Sequence, residues 1–165
     1  MPERKWVFDT ASLSNFLLSE SIFILENRYR HKAMITSQVY DEISAGISKY
    51  PKLKLIDGLI NNNIFRLCTL TGKERELYSE LIGHLGKGEA SCIAIAKEQS
   101  AIVVTDDRIA RSRCSQIDIS VTGTVGILKA SLLDGHINRR QADDILQKMI
   151  RSGFYSPVRS IGDIV

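Results

Sequence analysis

The chain has 165 residues, which is long enough for one domain of ordinary size with a substantial hydrophobic core. Apolar residues make up 44% of the chain and charged residues 25%, a profile that excludes a disordered protein and is typical of a soluble globular one. The formal net charge of +3 permits nucleic-acid binding without requiring it, because a strongly basic footprint would show a larger surplus.

The cysteines and the apolar segments indicate a reducing, aqueous compartment. Cys68, Cys92 and Cys114 match neither a zinc-binding spacing nor a disulfide framework, so we interpret them as reduced thiols. The sequence has no signal-peptide hydrophobic region and no apolar run of bilayer length. We therefore expect a cytoplasmic protein without membrane contact, folded as a single domain over residues 1–165.

The first part of the chain alternates strands with helices. Residues 6–8 predict a short buried strand that stops at Asp9, and residues 11–18 carry apolar side chains at helical spacing. Residues 33–36 predict a second strand, after which Ser37 is a candidate N-cap of the next helix.

The alternation continues through the middle of the chain. A helix is predicted from Pro51 up to the asparagine run at residues 61–63, because asparagine favours turns. Residues 64–67 then predict a short strand at a sheet edge. Helical patterns follow at residues 73–85 and at residues 89–99, the second rich in small side chains suited to close packing on a sheet.

The clearest strand lies at residues 101–105, where a β-branched run is typical of a central parallel strand covered on both faces. Residues 117–121 predict a last strand, and helices are predicted at residues 124–133 and 141–150. Strands that alternate with helices predict an α/β domain with a mainly parallel sheet and helices on both faces. In such a domain, ligands bind at the carboxyl ends of the strands.

Acidic residues stand where apolar runs end or helices begin. They are Asp9, Glu42, Glu89 and the pair Asp106 and Asp107. If these segments share one sheet, the carboxylates converge at one edge of it. Carboxylates repel one another near neutral pH, so such a cluster needs cations or shared protons. Oxygen-only ligands favour Mg²⁺ or Mn²⁺.

Each acidic position also has a structural interpretation. Asp9 is a candidate N-cap, and Glu89 stands in the first helical turn, where the helix dipole favours negative charge. Glu42 shares a helix face with apolar residues, so its carboxylate would need a partner there. At Asp106 and Asp107, one carboxylate could cap the following helix while the other binds metal.

Basic residues follow the last acidic pair directly. Arg108, Arg111 and Arg113 could hold phosphates beside the metal, although a solvated helix face is the alternative interpretation.

With these motifs in this order, the chain resembles the PIN-domain family of metal-dependent nucleases. The matching segments are residues 7–13, 37–43, 88–96 and 103–111. Two later segments, residues 123–128 and 153–155, are similar to a prokaryotic PIN-like subfamily. The resemblance implies a three-layer α/β/α sandwich with a mainly parallel central sheet, whose acidic quartet holds one or two Mg²⁺ or Mn²⁺ ions.

The resemblance also assigns roles to residues of this sequence. It implies that Asp9, Glu42 and Glu89 are the first three acidic positions. The fourth falls on Asp106 or Asp107, and the Thr-x-Asp spacing favours Asp107. Thr10 and Thr105 would be supporting groups. Many relatives are toxin ribonucleases paired with small antitoxins, and homodimers are common among them.

The expected function is metal-dependent endonucleolytic hydrolysis of RNA phosphodiester bonds, and the resemblance implies a role as the toxin of a toxin–antitoxin module. DNA presents the same phosphate chemistry and stays open as a substrate. A catalytically weak or inactive PIN-like binding module is the alternative. A dehalogenase-like phosphatase would need an aspartate where Ala11 stands, and a phosphoacceptor receiver domain would need its acidic pair earlier in the chain.

Overall fold

The computed structural model describes residues 3–165, so Met1 and Pro2 lie outside the described part of the chain. Its five strands form one sheet in which every pair of neighbours is parallel. The strands are β1 (Trp6–Phe8), β2 (Ala33–Thr36), β3 (Phe65–Cys68), β4 (Ile102–Val104) and β5 (Val121–Thr122), and their order in space is β3-β2-β1-β4-β5.

Helices follow the strands and flank the sheet. They are α1 (Thr10–Leu18), α2 (Ile22–Tyr29), α3 (Ser37–Ala45), α4 (Leu55–Asn61), α5 (Gly72–Leu81), α6 (Lys87–Gln99), α7 (Arg108–Gln116), α8 (Thr124–Leu133) and α9 (Arg139–Arg151), with 3₁₀ turns at Pro51–Lys54 and Ile161–Ile164. This is the three-layer α/β/α sandwich expected from the sequence. Within residues 3–165, no helix combines the length and hydrophobicity needed to cross a bilayer.

The central strand explains how the sheet is held together. Val7 of β1 lies in register with Met34 of β2 and with Val103 of β4, and all three side chains are buried. The small residues predicted for α6 have the expected role, because Ala90 and Ala94 are completely buried. The β1 strand therefore runs through the core and delivers Asp9 to the carboxyl edge of the sheet.

Helix α2 is absent from the sequence prediction. It positions Tyr29, whose ring packs edge-on against Trp6 and Phe8 at centroid distances of 5.2 and 5.4 Å. Phe8 also packs against Phe65 of β3. Replacing a buried aromatic such as Phe8 with alanine typically costs about 3–5 kcal/mol, so this cluster is a major contribution to the core. The prediction failed because α2 has only eight residues and its position depends on the packing of Tyr29 against Trp6 and Phe8, which are distant in sequence.

Two boundaries also differ from the prediction. Thr36, rather than Ser37, caps α3 by accepting a hydrogen bond of 3.1 Å from the backbone N–H of Val39. The last strand is short, because residues 117–120 form the turn that ends α7, with Asp118 at a positive φ of 59°. Strand β4 lies between β1 and β5 and pairs in parallel with both, as predicted for an interior strand, and β3 occupies the predicted edge.

Candidate active site

Asp9 joins the central strand to the first helix. Its backbone N–H donates to the carbonyl oxygen of Val104 at 3.0 Å, which ties the end of β1 to the end of β4. Its side chain caps α1 by accepting a hydrogen bond of 2.8 Å from the backbone N–H of Ser12. The residue is 2% exposed. The N-cap interpretation of Asp9 is therefore confirmed, and the cap holds a carboxylate in the interior at the carboxyl edge of the sheet.

Burial makes the ionised form of Asp9 unfavourable. Loss of hydration raises the pKa of Asp9 from its ordinary value of 3.8 to about 6. Hydrogen bonds from Thr105 and Ser12 lower this pKa, whereas the nearby charge of Asp106 raises it. Within residues 3–165, no basic side chain forms an ion pair with Asp9. A cation beside this carboxylate would offset its electrostatic cost.

Asp106 is the carboxylate that faces Asp9 across the edge of the sheet. Its Oδ2 accepts hydrogen bonds from the Ser12 hydroxyl at 3.1 Å and from the Thr124 hydroxyl at 2.5 Å. Its Oδ1 accepts a bond of 2.9 Å from the backbone N–H of Thr124. Asn15 completes this network by donating its side-chain amide to the Thr124 hydroxyl at 3.0 Å. Asp106 is thus fixed by groups from α1 and α8.

Asp107 is the N-cap residue of α7. Its side chain caps α7 by accepting a hydrogen bond of 2.8 Å from the backbone N–H of Ala110, and the residue is exposed. The spacing argument favoured Asp107 as the fourth acidic position, which stays a prediction, and Asp106 is the member of the pair that contacts Ser12. The physical reason is local, because the residue directly before a helix supplies its N-cap.

We call the carboxylates of Asp9, Asp106, Glu42 and Glu89 the acidic edge. Glu42 belongs to α3 and Glu89 to α6. The Thr10 hydroxyl donates to Oε1 of Glu42 at 3.0 Å, so the residue after Asp9 contacts α3. Partial burial raises the pKa of Glu42 and the charge of Glu89 adds to the increase, while hydrogen bonds from Thr10 and from the Gly88 backbone oppose it. Glu42 is an exposed residue rather than a member of the buried apolar face of α3, and its carboxylate contacts the Thr10 hydroxyl at the edge of the sheet.

Two glycines at the start of α6 make room for these glutamates. A Cβ atom at Gly88 would collide with Oε1 of Glu42, and one at Gly86 would lie 2.5 Å from Oε2 of Glu89. The Glu42 carboxylate therefore lies directly against the backbone of α6. This close approach is possible because position 88 has no side chain.

The buried thiol of Cys92 links these groups electrostatically. Burial raises the pKa of Cys92 well above its usual range, and the negative charges of Asp9, Glu89 and Glu42 act in the same direction. The charges of three predicted site carboxylates therefore all raise the pKa of this one thiol. Its Sγ lies 3.4 Å from the carbonyl oxygen of Phe8, the last residue of β1.

The predicted supporting and basic residues differ in burial and in their contacts. Thr105 is buried, and its hydroxyl accepts a hydrogen bond of 3.2 Å from the backbone N–H of Asp107. Arg111 donates from Nη1 to the carbonyl oxygen of Thr105 at 2.9 Å. Arg108 and Arg111 line a cleft that also contains Asp106, whereas Arg113 is not part of that lining.

The acidic edge suits a hard divalent cation in its chemistry. Its donors are carboxylate and hydroxyl oxygens, which Mg²⁺ and Mn²⁺ prefer, and Asp9 has no ion pair with a basic side chain in the described part of the chain. Across residues 3–165, no three His, Cys, Asp or Glu side chains lie close enough to hold a metal as a preformed group. The charges of these carboxylates act on one another in two pairs, because Asp106 raises the pKa of Asp9 and Glu89 raises the pKa of Glu42.

Several residues that contact these carboxylates or their hydrogen-bond partners were not predicted from the sequence. Ser12, Asn15, Thr124 and Gly88 carry no charge, and none was predicted as a site residue. One signal was available for Thr124. It follows Gly123 at a strand-to-helix junction, and such junctions at the carboxyl edge of a parallel sheet supply ligand-binding groups.

The family follows from a comparison with known domains. A family model described as DUF3368, a PIN domain, matches residues 5–165. The chain belongs to the PIN-domain family. The resemblance inferred from the sequence motifs is thus confirmed over nearly the whole chain. No curated protein matches the sequence.

Solved structures have the same fold as this PIN domain at low sequence identity. FitAcB from Neisseria gonorrhoeae has a TM-score of 0.51 at 15% identity, covering 70% of this chain and 95% of that one. VapBC2 from Rickettsia felis, bound to a DNA fragment from their promoter, has a TM-score of 0.52 at 15% identity, with 72% and 97% covered. PAE2754 from Pyrobaculum aerophilum has a TM-score of 0.53 at 14% identity, with 73% and 91% covered. Likeness at this level establishes the fold.

Proposed function

We propose that this PIN domain, spanning residues 1–165, is a divalent-metal-dependent endoribonuclease. In this proposal Asp9, Glu42, Glu89 and Asp106 hold Mg²⁺ or Mn²⁺ directly or through water, and Asp107 caps α7. The observation that carries it is the state of Asp9. This carboxylate is 2% exposed, has a pKa raised to about 6 and shares Ser12 with Asp106 as a hydrogen-bond donor. A buried, uncompensated carboxylate beside a second one favours a cation site.

The residues around the carboxylates have orienting roles in this function. When bound, a divalent ion supplies a water of lowered pKa and positive charge beside the phosphate. Ser12 and Thr124 hold Asp106 in one orientation, and Thr10 does the same for Glu42. Loss of such a supporting contact typically lowers metal affinity or activity roughly 10–100-fold.

The substrate phosphate would meet basic groups next to the carboxylates. Arg108 is exposed and Arg111 is half-buried, and both line the cleft that begins at Asp106. A guanidinium group can bind two phosphate oxygens at once, which positions the scissile group. No protein nucleophile is needed for this hydrolysis, so the described side chains bind, orient and supply charge.

We further propose that the enzyme is the toxin of a toxin–antitoxin pair, acting in the cytoplasm as a homodimer controlled by a small antitoxin protein. Support comes from the fold shared with FitAcB, with VapBC2 bound to promoter DNA and with FitAB bound to the IR36 DNA fragment. Co-purification of the chain with a small antitoxin protein expressed beside it, followed by measurement of the mass of the chain and of the complex in solution, tests the partner and the dimer together.

Cleavage of RNA tests the enzymatic proposal. Single-stranded RNA is incubated with Mn²⁺ and the wild type, Asp9→Asn or Asp41→Asn protein. Asp41 is the matched control, because it is an exposed aspartate adjacent to Glu42 in sequence. We expect cleavage by the wild type and by Asp41→Asn, and loss of it in Asp9→Asn and after addition of EDTA. Equal cleavage by wild type and Asp9→Asn would refute the proposed site.

A non-catalytic binding module is the second candidate function. It is favoured by one observation, that no three metal-ligating side chains within residues 3–165 form a preassembled group. Titration with Mg²⁺ and Mn²⁺ separates the two candidates. Absence of measurable affinity for either ion would support the binding module.

A further inference from the structure

A cleft of about 750 Å³ opens beside the acidic edge, within the range of about 300–1,000 Å³ that is typical of ligand sites. It lies between the start of α7, the junction of β5 with α8, and the C-terminal tail. We name it the Tyr155 cleft. The lining residues that matter here are Asp106, Arg108, Arg111, Gly123, Gly126 and Tyr155.

Tyr155 is the unusual member of this lining. Its side chain is 98% exposed, although the next residue toward the N-terminus, Phe154, packs against the core. The surrounding tail is fixed on both sides of it. The Phe154 N–H donates to the carbonyl oxygen of Met149 at 3.0 Å, and the side-chain amide of Gln147 in α9 donates to the carbonyl oxygen of Arg159 at 2.8 Å. An anchored segment thus presents an unpartnered aromatic ring to solvent at the cleft wall.

The opposite wall is basic. Arg111 uses Nη1 to bind the carbonyl oxygen of Thr105, and its guanidinium group has further N–H donors. Arg108 is exposed and forms no ion pair with an acidic side chain in the described part of the chain. The cleft therefore offers positive charge next to Asp106, where a phosphate must lie if the carboxylates act on it.

Glycine at two positions lets neighbouring side chains pack closely against the backbone at the start of α8. A Cβ atom at Gly123 would lie 2.5 Å from Oδ1 of Asp106, and one at Gly126 would collide with the hydroxyl of Thr122. The two glycines therefore make room for the Asp106 carboxylate and the Thr122 hydroxyl at the side of the cleft.

We propose that the Tyr155 cleft binds one nucleotide of single-stranded RNA adjacent to the cleaved bond, with its base stacked on Tyr155 and its phosphate bound by Arg108 and Arg111. The proposal rests on the ribonuclease function proposed above and adds the subsite that selects its substrate. Bases of single strands are free to stack on aromatic side chains, whereas bases in a duplex are already stacked. Tyr155 thereby selects against double-stranded RNA.

Binding in EDTA tests the subsite without any cleavage. A fluorescein-labelled single-stranded RNA is titrated with wild type, Tyr155→Ala and Tyr155→Phe proteins, and anisotropy reports affinity. We expect Tyr155→Ala to weaken binding roughly tenfold, as loss of a base–aromatic stack does, and Tyr155→Phe to retain wild-type affinity. Tyr50→Ala is the matched control, since Tyr50 is 45% exposed and lies outside the cleft. It should bind like the wild type.

A second label reports the stack itself. An RNA containing 2-aminopurine should lose fluorescence on binding wild type or Tyr155→Phe, and keep it with Tyr155→Ala. Equal affinity of wild type and Tyr155→Ala, equal weakening by Tyr155→Phe, or equally tight binding of duplex RNA would each overturn the subsite. The ribonuclease proposal would survive such a result if Mn²⁺-dependent cleavage still required Asp9, so the two failures are distinguishable.

Discussion

Ser12 and Asp106 are 94 residues apart in the sequence, yet the Ser12 hydroxyl donates a hydrogen bond of 3.1 Å to Oδ2 of Asp106. The backbone N–H of the same serine donates to Oδ1 of Asp9. One residue of α1 therefore contacts carboxylates that follow two neighbouring parallel strands. The acidic residues are thus held by uncharged donors, and their negative charge stays available to a cation.

The first prediction concerns pH and the stability of the metal-free protein. The pKa of Asp9 is about 6 in the folded state and 3.8 ordinarily, so the folded protein holds this proton more tightly than the unfolded chain. The free energy of unfolding should therefore fall as pH rises from about 4 to about 6, by at most about 3 kcal/mol from this group. Denaturant titrations in EDTA across this range measure the fall.

Asp9→Asn supplies the comparison for that titration. An asparagine caps a helix as well as an aspartate does, and its side-chain oxygen can accept the Ser12 N–H, but it does not ionise. The variant should lack the Asp9 contribution and be more stable than the wild type above pH 6. Parallel pH profiles for the two proteins would contradict the raised pKa.

The second prediction separates Asp106 from Asp107. Asp106→Asn removes a carboxylate that three donors hold in place, and should reduce Mn²⁺-dependent RNA cleavage at least about 10–100-fold. Asp107→Asn keeps a good N-cap for α7 and should retain both activity and melting temperature. The reverse pattern of cleavage rates would show that Asp107 is the functional residue.

The third prediction concerns the space beside Glu42. Gly88→Ala places a methyl group where Oε1 of Glu42 lies, so we expect loss of metal-dependent cleavage by at least about tenfold. Gly58→Ala is the matched control, because a Cβ atom there meets nothing within 4 Å and alanine stabilises a helix by about 0.5–1 kcal/mol relative to glycine. Cleavage rates and thermal melting should be measured for both. Full activity of Gly88→Ala would mean that the position of Glu42 is unimportant.

The fourth prediction concerns the hydrogen bond from Thr10 to Glu42. This bond lowers the pKa of the glutamate, so Thr10→Val should raise that pKa further. The acidic limb of the pH–rate profile should then move to higher pH, with activity recovering as pH increases. Thr10→Ser retains the hydroxyl and should keep the wild-type profile. An unchanged acidic limb in Thr10→Val would exclude Glu42 as the group that controls it.

Patterns with a strong period predicted most of the fold. The alternation of β-branched runs with amphipathic helices was enough for the parallel sheet, because buried strands and surface helices have different apolar spacings. Helix α2 was missed because its position depends on packing of Tyr29 against Trp6 and Phe8, contacts that are distant in sequence. Residues 117–120 have the alternating pattern of a strand, but in the structure they follow α7 as a turn. The last strand therefore begins at Val121, later than predicted.

Only the charged residues of the candidate site could be predicted from the sequence. Carboxylates at the ends of strands are visible in a sequence, since chain order places them at one edge of a parallel sheet. Which member of the Asp106–Asp107 pair faces Asp9 depends on where α7 begins, and a one-residue choice lies within the uncertainty of helix boundaries. Neutral partners such as Ser12 and Thr124 carry no charge to mark them.

Metal binding by the acidic edge is the claim on which the functional account depends, and calorimetric titration with Mn²⁺ tests it most directly. The account predicts saturable binding by the wild type and by Asp41→Asn, and binding at least about tenfold weaker by Asp9→Asn. Equal affinity of wild type and Asp9→Asn, or no heat of binding with the wild type, would contradict it.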